Sequence, residues 1–189
     1  MRATVHVTRV SRRAGASRDL GQDTTMKIEL RNVAYSAALS EETSNFHADI
    51  WIDGKKEGYA QNHGTGGATT VRPDALRVRL DEYGRTLPPV DVGTPTGTAP
   101  HMIVQDAEWI VDALLTDWIV RRDLKRMLRN RAVYTRVDVP GIYQTRVLTP
   151  ERLAEVLGSA TVKERWKVKA WLNAMPEEQA VATYREAAG

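Results

Sequence analysis

The sequence has no cysteine, which excludes disulfide bonds, thiolate zinc sites and a cysteine nucleophile. It also has no apolar run near the roughly 18 residues that a membrane-spanning helix requires. Charged residues stand where a secretory signal needs its apolar core. We therefore expect a cytoplasmic protein that works without a membrane. The 189 residues suffice for one domain with a buried core, or for one domain and an appendage.

The positive charge is concentrated at the N-terminus. The formal net charge is +3, and residues 1–25 alone hold five arginines against two aspartates. The rest of the chain is balanced, with 22 basic and 22 acidic residues. Because residues 1–25 also lack apolar periodicity, we predict a flexible basic tail there. An arm that contacts phosphates is the alternative.

Alternating apolar and polar residues predict three strands after this tail. The first strand, over 27–35, has a one-residue phase shift at Asn32, which predicts a β-bulge. The second strand covers 46–52, and the Asp-Gly pair after it is a hairpin signal that leads into a third strand over 55–62. Together these segments predict an antiparallel meander.

A short helix and a linker are predicted next. Pro73 suits the first turn of a helix whose apolar residues recur every three or four positions. Gly84 fits the position just after the end of such a helix. Residues 87–103 are rich in proline, threonine and glycine, which favours an irregular linker between two domains.

The second half of the chain is predicted to be mainly helical. A broad apolar face predicts a long, largely buried helix over 105–129. Residues 132–147 are predicted to form a β-hairpin around a Val-Pro-Gly turn. Thr149 then caps a short helix, and two further helices are predicted at 161–173 and 176–187.

These elements define an α+β protein. An N-terminal antiparallel three-stranded meander with a short helix is followed by a linker and by a helix-rich part that contains a small β-hairpin. The predicted domain plan has a flexible basic tail at 1–25, a subdomain of three strands and a helix at 26–86, a linker at 87–103 and a mostly helical subdomain at 104–189.

The segment NHGTGGATT at 62–70 is the first candidate site. Its glycines, Gly64, Gly66 and Gly67, would allow backbone N–H groups to point at an anion if a helix began directly after them. The helix is predicted to begin only at Pro73, and neither a Walker A motif nor G-x-G-x-x-G is present. An esterase oxyanion loop is disfavoured, because the chain contains no G-x-S-x-G motif for the nucleophile. We expect a structural loop, with anion binding as the alternative.

Two histidines and an aspartate form the second candidate site. His47 and Asp49 are predicted to share the outward face of the second strand, and His63 lies just beyond the third strand. Two imidazoles and a carboxylate can bind a divalent metal or form an acid–base pair. No spacing such as H-E-x-x-H identifies them as ligands, and polar residues are ordinary on the outer face of a sheet. We therefore expect a solvated face and no cofactor or metal.

The densest charge outside the tail is the segment RRDLKRMLRNR at 121–131. Helical spacing concentrates its cations on one side of the long predicted helix. Such a patch suits nucleic-acid phosphates or an acidic protein surface. Basic residues are also favoured at any helix C-terminus by the macrodipole, which is the structural alternative. The cations are Arg121, Arg122, Lys125, Arg126, Arg129 and Arg131.

Trp166 and Trp171 stand among lysines and an arginine, in a mixture that can stack nucleic-acid bases. Their spacing of five does not place both on one face of a helix. Acidic and basic residues are equal over 151–189. Packing of at least one of these tryptophans into the core is the favoured interpretation.

Three motifs in the first half of the chain resemble motifs of a known group of proteins. They are the Ser-Glu-Glu-Thr loop at 40–43, the Asp-Gly hairpin followed by lysines, and the Asn-x-Gly-x-Gly-Gly segment at 62–67. Over about residues 26–67 the sequence resembles small proteins of phages, prophages and other mobile elements. The resemblance implies a phage or mobile-element context and suggests Met26 as the start of the domain. It transfers no catalytic residue.

We expect a non-enzymatic accessory protein of a phage or mobile element that binds a host protein or nucleic acid in the host cytoplasm. The cations at 121–131 are the expected contact. The alternative is a small metal-dependent or phosphate-handling enzyme that uses His47, Asp49 and His63 near the glycine-rich loop. The sequence leaves the partner and the oligomeric state open.

Overall fold

The computed structural model describes residues 3–5, 26–93 and 100–188. Apart from a short strand at its start, the predicted basic tail lies outside the described residues. The chain divides into two compact units, Met1–Trp118 and Ile119–Gly189.

The first unit is built on a five-stranded antiparallel sheet with the strand order β1-β2-β3-β4-β5. Its strands are β1 (Ala3–Val5), β2 (Ile28–Ser36), β3 (Asn45–Ile52), β4 (Lys55–His63) and β5 (Thr70–Arg72). The predicted α+β class is confirmed. The predicted meander corresponds to β2, β3 and β4, and one strand on each side extends it.

The register of the meander follows local sequence signals. Arg31 pairs with Asp49 and Ala34 pairs with His47, so β2 has one residue more than β3 over this stretch. Asn32 has a φ of 51° at this point, which confirms the predicted bulge. The hairpin between β3 and β4 turns at an aspartate with a φ of 49° and a glycine with a φ of 83°, as a two-residue type I′ turn requires.

One face of the sheet is buried and the other is polar. Alternation along each strand places the apolar residues on the buried side. The buried apolar residues of the three central strands are Ile28, Leu30, Phe46, Ala48, Ile50, Ile52 and Ala60. The sequence pattern of β3 thus determines which face of the sheet His47, Asp49 and Trp51 occupy.

The short helix α1 (Asp74–Thr86) begins after Pro73 and buries Leu76 and Leu80. The prediction that Gly84 follows the helix end was wrong, because the helix continues through this residue. A Cβ at Gly84 would meet the backbone carbonyl of Gln105. The glycine therefore permits close packing of two chain segments instead of ending the helix.

The long helix α2 (Ala107–Leu128) is confirmed. Its first turn is capped by two carboxylates: Asp106 Oδ1 accepts a hydrogen bond from the Trp109 amide at 2.8 Å, and Asp81 Oδ1 accepts one from the Ala107 amide at 2.9 Å. Both carboxylates also suit the positive end of the helix macrodipole.

Residues 87–103, the predicted linker, contain regular structure. Two short strands, β6 (Val90–Asp91) and β7 (Met102–Ile103), pair in antiparallel fashion. Asp91 Oδ1 accepts hydrogen bonds of 2.9 Å from the amides of Gly93 and His101, which holds the two ends together. Residues 94–99 lie outside the described residues. The division between the two units falls within α2, later in the chain than the predicted boundary.

The second unit contains the C-terminal part of α2, a three-stranded sheet of order β10-β8-β9, three short α-helices and a 3-10 helix at Leu172–Ala174. The elements are β8 (Val133–Arg136), β9 (Tyr143–Gln144), α3 (Pro150–Gly158), α4 (Ala160–Arg165), β10 (Val168–Trp171) and α5 (Glu177–Ala188). The predicted hairpin is confirmed as β8 and β9. The hydrophobic core of the second unit contains Leu124, Val133, Leu172, Ala180 and Val181.

The predicted helix over 161–173 was wrong in its second half. The helix ends at Arg165, and Lys167 has a φ of 53°, which interrupts the helical backbone. Val168 and Trp171 then pair with β8 as part of a strand. Since the partner strand lies some 30 residues earlier in the sequence, local periodicity could not reveal this pairing.

The close packing at Gly84 generates a test. We expect Gly84→Ala to destabilise the protein by about 1–3 kcal/mol, because the added methyl would strike a backbone carbonyl. The matched control is Gly158→Ala in the last position of α3, where a Cβ meets nothing within 4 Å. Thermal unfolding of both variants measures the difference. A Gly84→Ala protein as stable as the Gly158→Ala protein would show that this approach is not tight.

Candidate functional site

The glycine-rich loop after β4 is bound to the Ser-Glu-Glu-Thr loop before β3. The carbonyl oxygen of Gly64 accepts hydrogen bonds from the amides of Glu41, Glu42 and Thr43, at 2.9, 3.0 and 3.4 Å. A Cβ at Gly64, whose φ is 85°, would meet the carbonyl oxygen of Leu39. Only glycine fits this conformation and this contact without strain.

The side chain of Asn62 connects these loops, and it is only 7% exposed. Its Oδ1 accepts hydrogen bonds of 2.9 Å from Thr43 Oγ1 and from the Gly64 amide. Its Nδ2 donates to the carbonyl of Gly67 at 2.8 Å and to Thr69 Oγ1 at 3.3 Å. A buried amide with both oxygen and nitrogen bonded fixes the path of the loop.

Two amides of the glycine-rich loop are bonded within the protein. The Gly64 amide binds Asn62, and the Gly66 amide donates to Thr43 Oγ1 at 3.3 Å. A Cβ at Gly67 would meet nothing within 4 Å, and this residue has no positive φ. Because α1 begins only at Asp74, no helix N-terminus follows the glycines directly. The geometry favours the expected structural loop over an anion cradle.

Carboxylates occupy the exit of the loop. The Thr69 amide donates to Glu108 Oε1 at 2.8 Å, and Thr69 Oγ1 donates to Asp112 Oδ1 at 3.0 Å. Removal from water raises the pKa of the Asp112 carboxyl, and the bond from Thr69 partly offsets this rise. Two acids next to the loop make the binding of an anion there still less favourable.

The central position of Asn62 leads to a stability prediction. We expect Asn62→Ala to lower the free energy of unfolding by about 1–3 kcal/mol, because it leaves buried loop groups without partners. The matched control is Gln61→Ala, whose side chain lies on the opposite face of β4. Chemical denaturation of both variants tests this role. Equal, small losses would contradict a structural function for the amide.

His47 and His63 lie on the polar face of the meander. Asn45 pairs with His63 and His47 pairs with Gln61, so the two histidines are diagonal neighbours on adjacent strands. Both line one open pocket of about 310 Å³, together with the exposed Ala34. The ring of His47 also stacks on Tyr59, with 5.4 Å between the ring centres.

Asp49 does not line this pocket. Its Oδ1 pairs with Lys56 Nζ at 2.7 Å, and its Oδ2 accepts a 2.7 Å hydrogen bond from Asn32 Nδ2. Hydrogen bonding to Lys56, more than any other contact, lowers the pKa of the Asp49 carboxyl. Among the described residues, no group of three His, Asp or Glu side chains is arranged to hold a metal ion.

The polar face of the meander is less solvated than the sequence suggested. Glu29 and Asp49 are only 3% and 7% exposed. Glu29 forms ion pairs with Lys27 and Arg31, and the Arg31 guanidinium lies 3.9 Å from the ring centre of Trp51. Paired charges and a cation–π contact therefore order this face. The alternation of apolar and polar residues along β2 and β3 could not show that Glu29 and Asp49 would be buried.

The six cations of the basic segment have different environments in the second unit. Arg121 is 9% exposed and forms a two-pronged ion pair with Glu178, at 2.7 and 2.8 Å. The Arg122 guanidinium pairs with Asp123, at 2.9 and 3.0 Å. Arg121 therefore serves the internal structure of the unit, and the charge of Arg122 is paired with that of its sequence neighbour.

The next three cations are accessible to a binding partner. Lys125, Arg126 and Arg129 are exposed, and no carboxylate pairs with them in the part of the chain that the structure describes. Two of them occupy the last turn of α2 and the third lies just beyond it. We call Lys125, Arg126 and Arg129 the basic surface.

A pocket of about 410 Å³ adjoins the basic surface. Arg131 Nη1 donates to Gln144 Oε1 at 3.1 Å, so the guanidinium is fixed by a neutral group that leaves its charge uncompensated. Two arginines and no carboxylate line this pocket. The lining consists of Arg126, Met127, Asn130, Arg131, Gln144 and Val147. We call this the arginine pocket.

The small net charge of the chain, +3, conceals an asymmetry between the units. Residues 119–189 contain 14 lysines and arginines against 8 aspartates and glutamates, a net charge of +6. The first unit, residues 1–118, contains 13 basic and 16 acidic residues, a net charge of −3, and its residues 26–118 alone carry −6. Charge counted by unit, instead of over the whole chain, is the signal that identifies the second unit as basic.

Four aromatic rings form a row in the second unit. Tyr134 on β8 stacks with Tyr143 of β9 at 5.7 Å and with Trp166 at 5.5 Å between ring centres. Trp171 on β10 contacts Tyr134 edge to face at 5.2 Å. All four rings are half-buried. The two tryptophans thus meet through different elements, which the helical prediction for 161–173 did not allow.

An ion-pair network borders these rings. Arg136 binds Asp138 with two hydrogen bonds of 2.9 and 2.8 Å, and Lys167 Nζ lies 3.0 Å from Asp138 Oδ2. Hydrogen bonds from Lys167 and then Arg136 lower the pKa of the Asp138 carboxyl from its ordinary value of 3.8 to about 2.

The lowered pKa predicts a pH-dependent contribution to stability. Because ionised Asp138 is favoured in the folded state, its stabilisation is complete above pH 3.8 and is lost as the pH falls towards about 2. We expect Asp138→Asn to unfold at a lower temperature than the natural protein at neutral pH, with a difference that shrinks between pH 4 and pH 2. Melting curves across this range measure the effect. A difference independent of pH would argue against the network.

No family model matches this chain, and neither curated proteins nor solved structures give a significant match. The described helices include none that is long and apolar enough to cross a membrane. The resemblance over residues 26–67 stays a prediction, and the surfaces of the second unit are the features that point to a function.

Proposed function

We propose that this chain is a non-enzymatic accessory protein of a phage or mobile element that binds nucleic acid through its second unit. The observation that carries the proposal is the basic surface beside the arginine pocket. Its three exposed cations have no carboxylate partners among the described residues. The phage or mobile-element context rests on the resemblance over residues 26–67.

The chemistry of the arginine pocket suits phosphate. Arg126 and Arg131 can each offer two parallel N–H groups to phosphate oxygens. The amides of Asn130 and Gln144 also line the pocket and can donate further hydrogen bonds. A net charge of +6 over residues 119–189 adds long-range attraction to a polyanion. An acidic host protein is the competing partner, because arginine also forms paired hydrogen bonds with carboxylates.

An enzyme built on His47, Asp49 and His63 has less support. Both histidines line one pocket, but Asp49 is bound to Lys56 and Asn32 and does not reach it. A histidine without an orienting carboxylate is a poor general base, and two imidazoles alone form an incomplete metal site.

Neutralising the basic surface tests the proposal. We expect the triple variant Lys125→Gln, Arg126→Gln, Arg129→Gln to bind random-sequence DNA at least about tenfold more weakly than the natural protein at low salt. The slope of log affinity against log salt should fall by about 2 to 3, because up to three phosphate contacts are lost. Fluorescence anisotropy over a range of salt concentrations measures both quantities.

The matched control removes the same charge from another helix. The triple variant Arg77→Gln, Arg79→Gln, Arg85→Gln changes three exposed arginines of α1 in the first unit. It should bind nearly as well as the natural protein. Equal losses in both triple variants would mean that only overall charge matters. Binding of an acidic host protein, but not of nucleic acid, would identify the competing partner.

A further inference from the structure

We infer that the bound nucleic acid is single-stranded, with a base stacked against the ring of Tyr143 while a neighbouring phosphate lies in the arginine pocket. This inference rests on the proposed function and specifies the form of nucleic acid that the second unit binds. It follows from where the edge strand β9 places two consecutive side chains.

The two surfaces meet at β9. This strand lies at the edge of the sheet β10-β8-β9, and its two residues are Tyr143 and Gln144. Consecutive residues of a strand point to opposite faces. Gln144 lines the arginine pocket and binds Arg131, whereas Tyr143 belongs to the aromatic row. A strand of nucleic acid that crosses this edge would therefore contact both surfaces with adjacent groups.

The aromatic row is separate from the hydrophobic core of its unit. Val133 is fully buried in that core, and Tyr134, the next residue on β8, points to the opposite face. Trp166 and Tyr143 both stack on Tyr134, but they do not contact each other among the ring pairs of the described residues. They therefore lie on opposite sides of Tyr134, and Tyr143 ends the stack next to the sheet edge.

The surroundings of the row are basic. The Arg136 guanidinium lies 5.2 Å from the ring centre of Tyr143. Arg165, Lys167 and Lys169 are exposed near the tryptophans in sequence. Aromatic rings flanked by cations bind single strands because every base has a face to stack and every nucleotide has a phosphate. The bases of a duplex are already paired and stacked, so they cannot reach such a ring.

A comparison of single-stranded and double-stranded ligands tests the inference. The ligands are an oligo-dT strand and a blunt duplex of equal length, each titrated at low salt. We expect Tyr143→Leu to weaken binding of the single strand by about 5- to 150-fold, because one stacked base is lost. Binding of the duplex should stay within about twofold, since it depends on phosphates alone. Tyr143→Phe, which keeps the ring, should retain the affinity for the single strand.

The control is Tyr59→Leu in the first unit. Tyr59 is also a strand tyrosine with a stacked neighbour, His47, and it is 36% exposed. This substitution should leave the affinity for oligo-dT unchanged. If Tyr143→Leu also leaves it unchanged, while the triple variant of the basic surface still loses binding, the stacking inference is overturned and the proposed function stands. If the natural protein binds neither ligand, both fail.

A measurement on the natural protein covers the case in which Tyr143→Leu does not fold. Oligo-dT carrying a photoreactive thymine analogue is crosslinked to the protein, and the linked residue is identified by mass spectrometry. Linkage at Tyr143 supports the inference. Linkage confined to residues outside the aromatic row and β9 overturns it.

Discussion

The first unit depends on one buried side chain, the amide of Asn62. This side chain bonds to four groups in two loops that meet beside the end of β4. One of those groups, Thr69 Oγ1, also donates to Asp112 on α2, so the same network extends from the sheet to the long helix. A substitution in either loop would therefore disturb bonds in the other. The motifs of the resemblance at 40–43 and 62–67 are thus two parts of one structural feature.

Sequence patterns predicted the first unit well because its signals are local. The bulge at Asn32 and the Asp-Gly turn involve residues within a few positions of each other. The burial of Glu29 and Asp49 could not be predicted in this way, since it depends on ion pairs formed in the folded sheet. Gly84 was misinterpreted for a similar reason, because its neighbour Gln105 is distant in sequence. Local sequence patterns cannot show which distant segments of the chain pack against each other.

The basic segment illustrates the same limit for a candidate site. Helical spacing placed its cations on one side of α2, but spacing cannot distinguish Arg121, which pairs with Glu178 on α5, from the exposed Lys125 and Arg126. Nor could the small net charge of the chain reveal that one unit is acidic and the other basic. The aromatic row was missed because Trp166 and Trp171 were assigned to one helix, whereas that helix ends at Arg165 and a strand follows.

The helix macrodipole offers an explanation of the basic surface that requires no partner. Cations at a helix C-terminus are favoured because the last carbonyls lack donors. In α2, however, other groups of the protein supply donors to the last two carbonyls, those of Met127 and Leu128. Asn173 Nδ2 donates to the carbonyls of Leu128 and Arg131 at 3.0 and 2.9 Å. The amides of Asn130 and Arg131 donate to the carbonyl of Met127.

The exposed cations are therefore not needed to satisfy the last two carbonyls of the helix. The dipole still contributes a few tenths of a kcal/mol per charge, but water and salt screen this term at the surface. The three exposed cations of the basic surface, one of which also lines the arginine pocket with Arg131, repel one another unless an anion lies between them. Such a local accumulation of like charge is better explained by an external polyanion than by the stability of the helix itself.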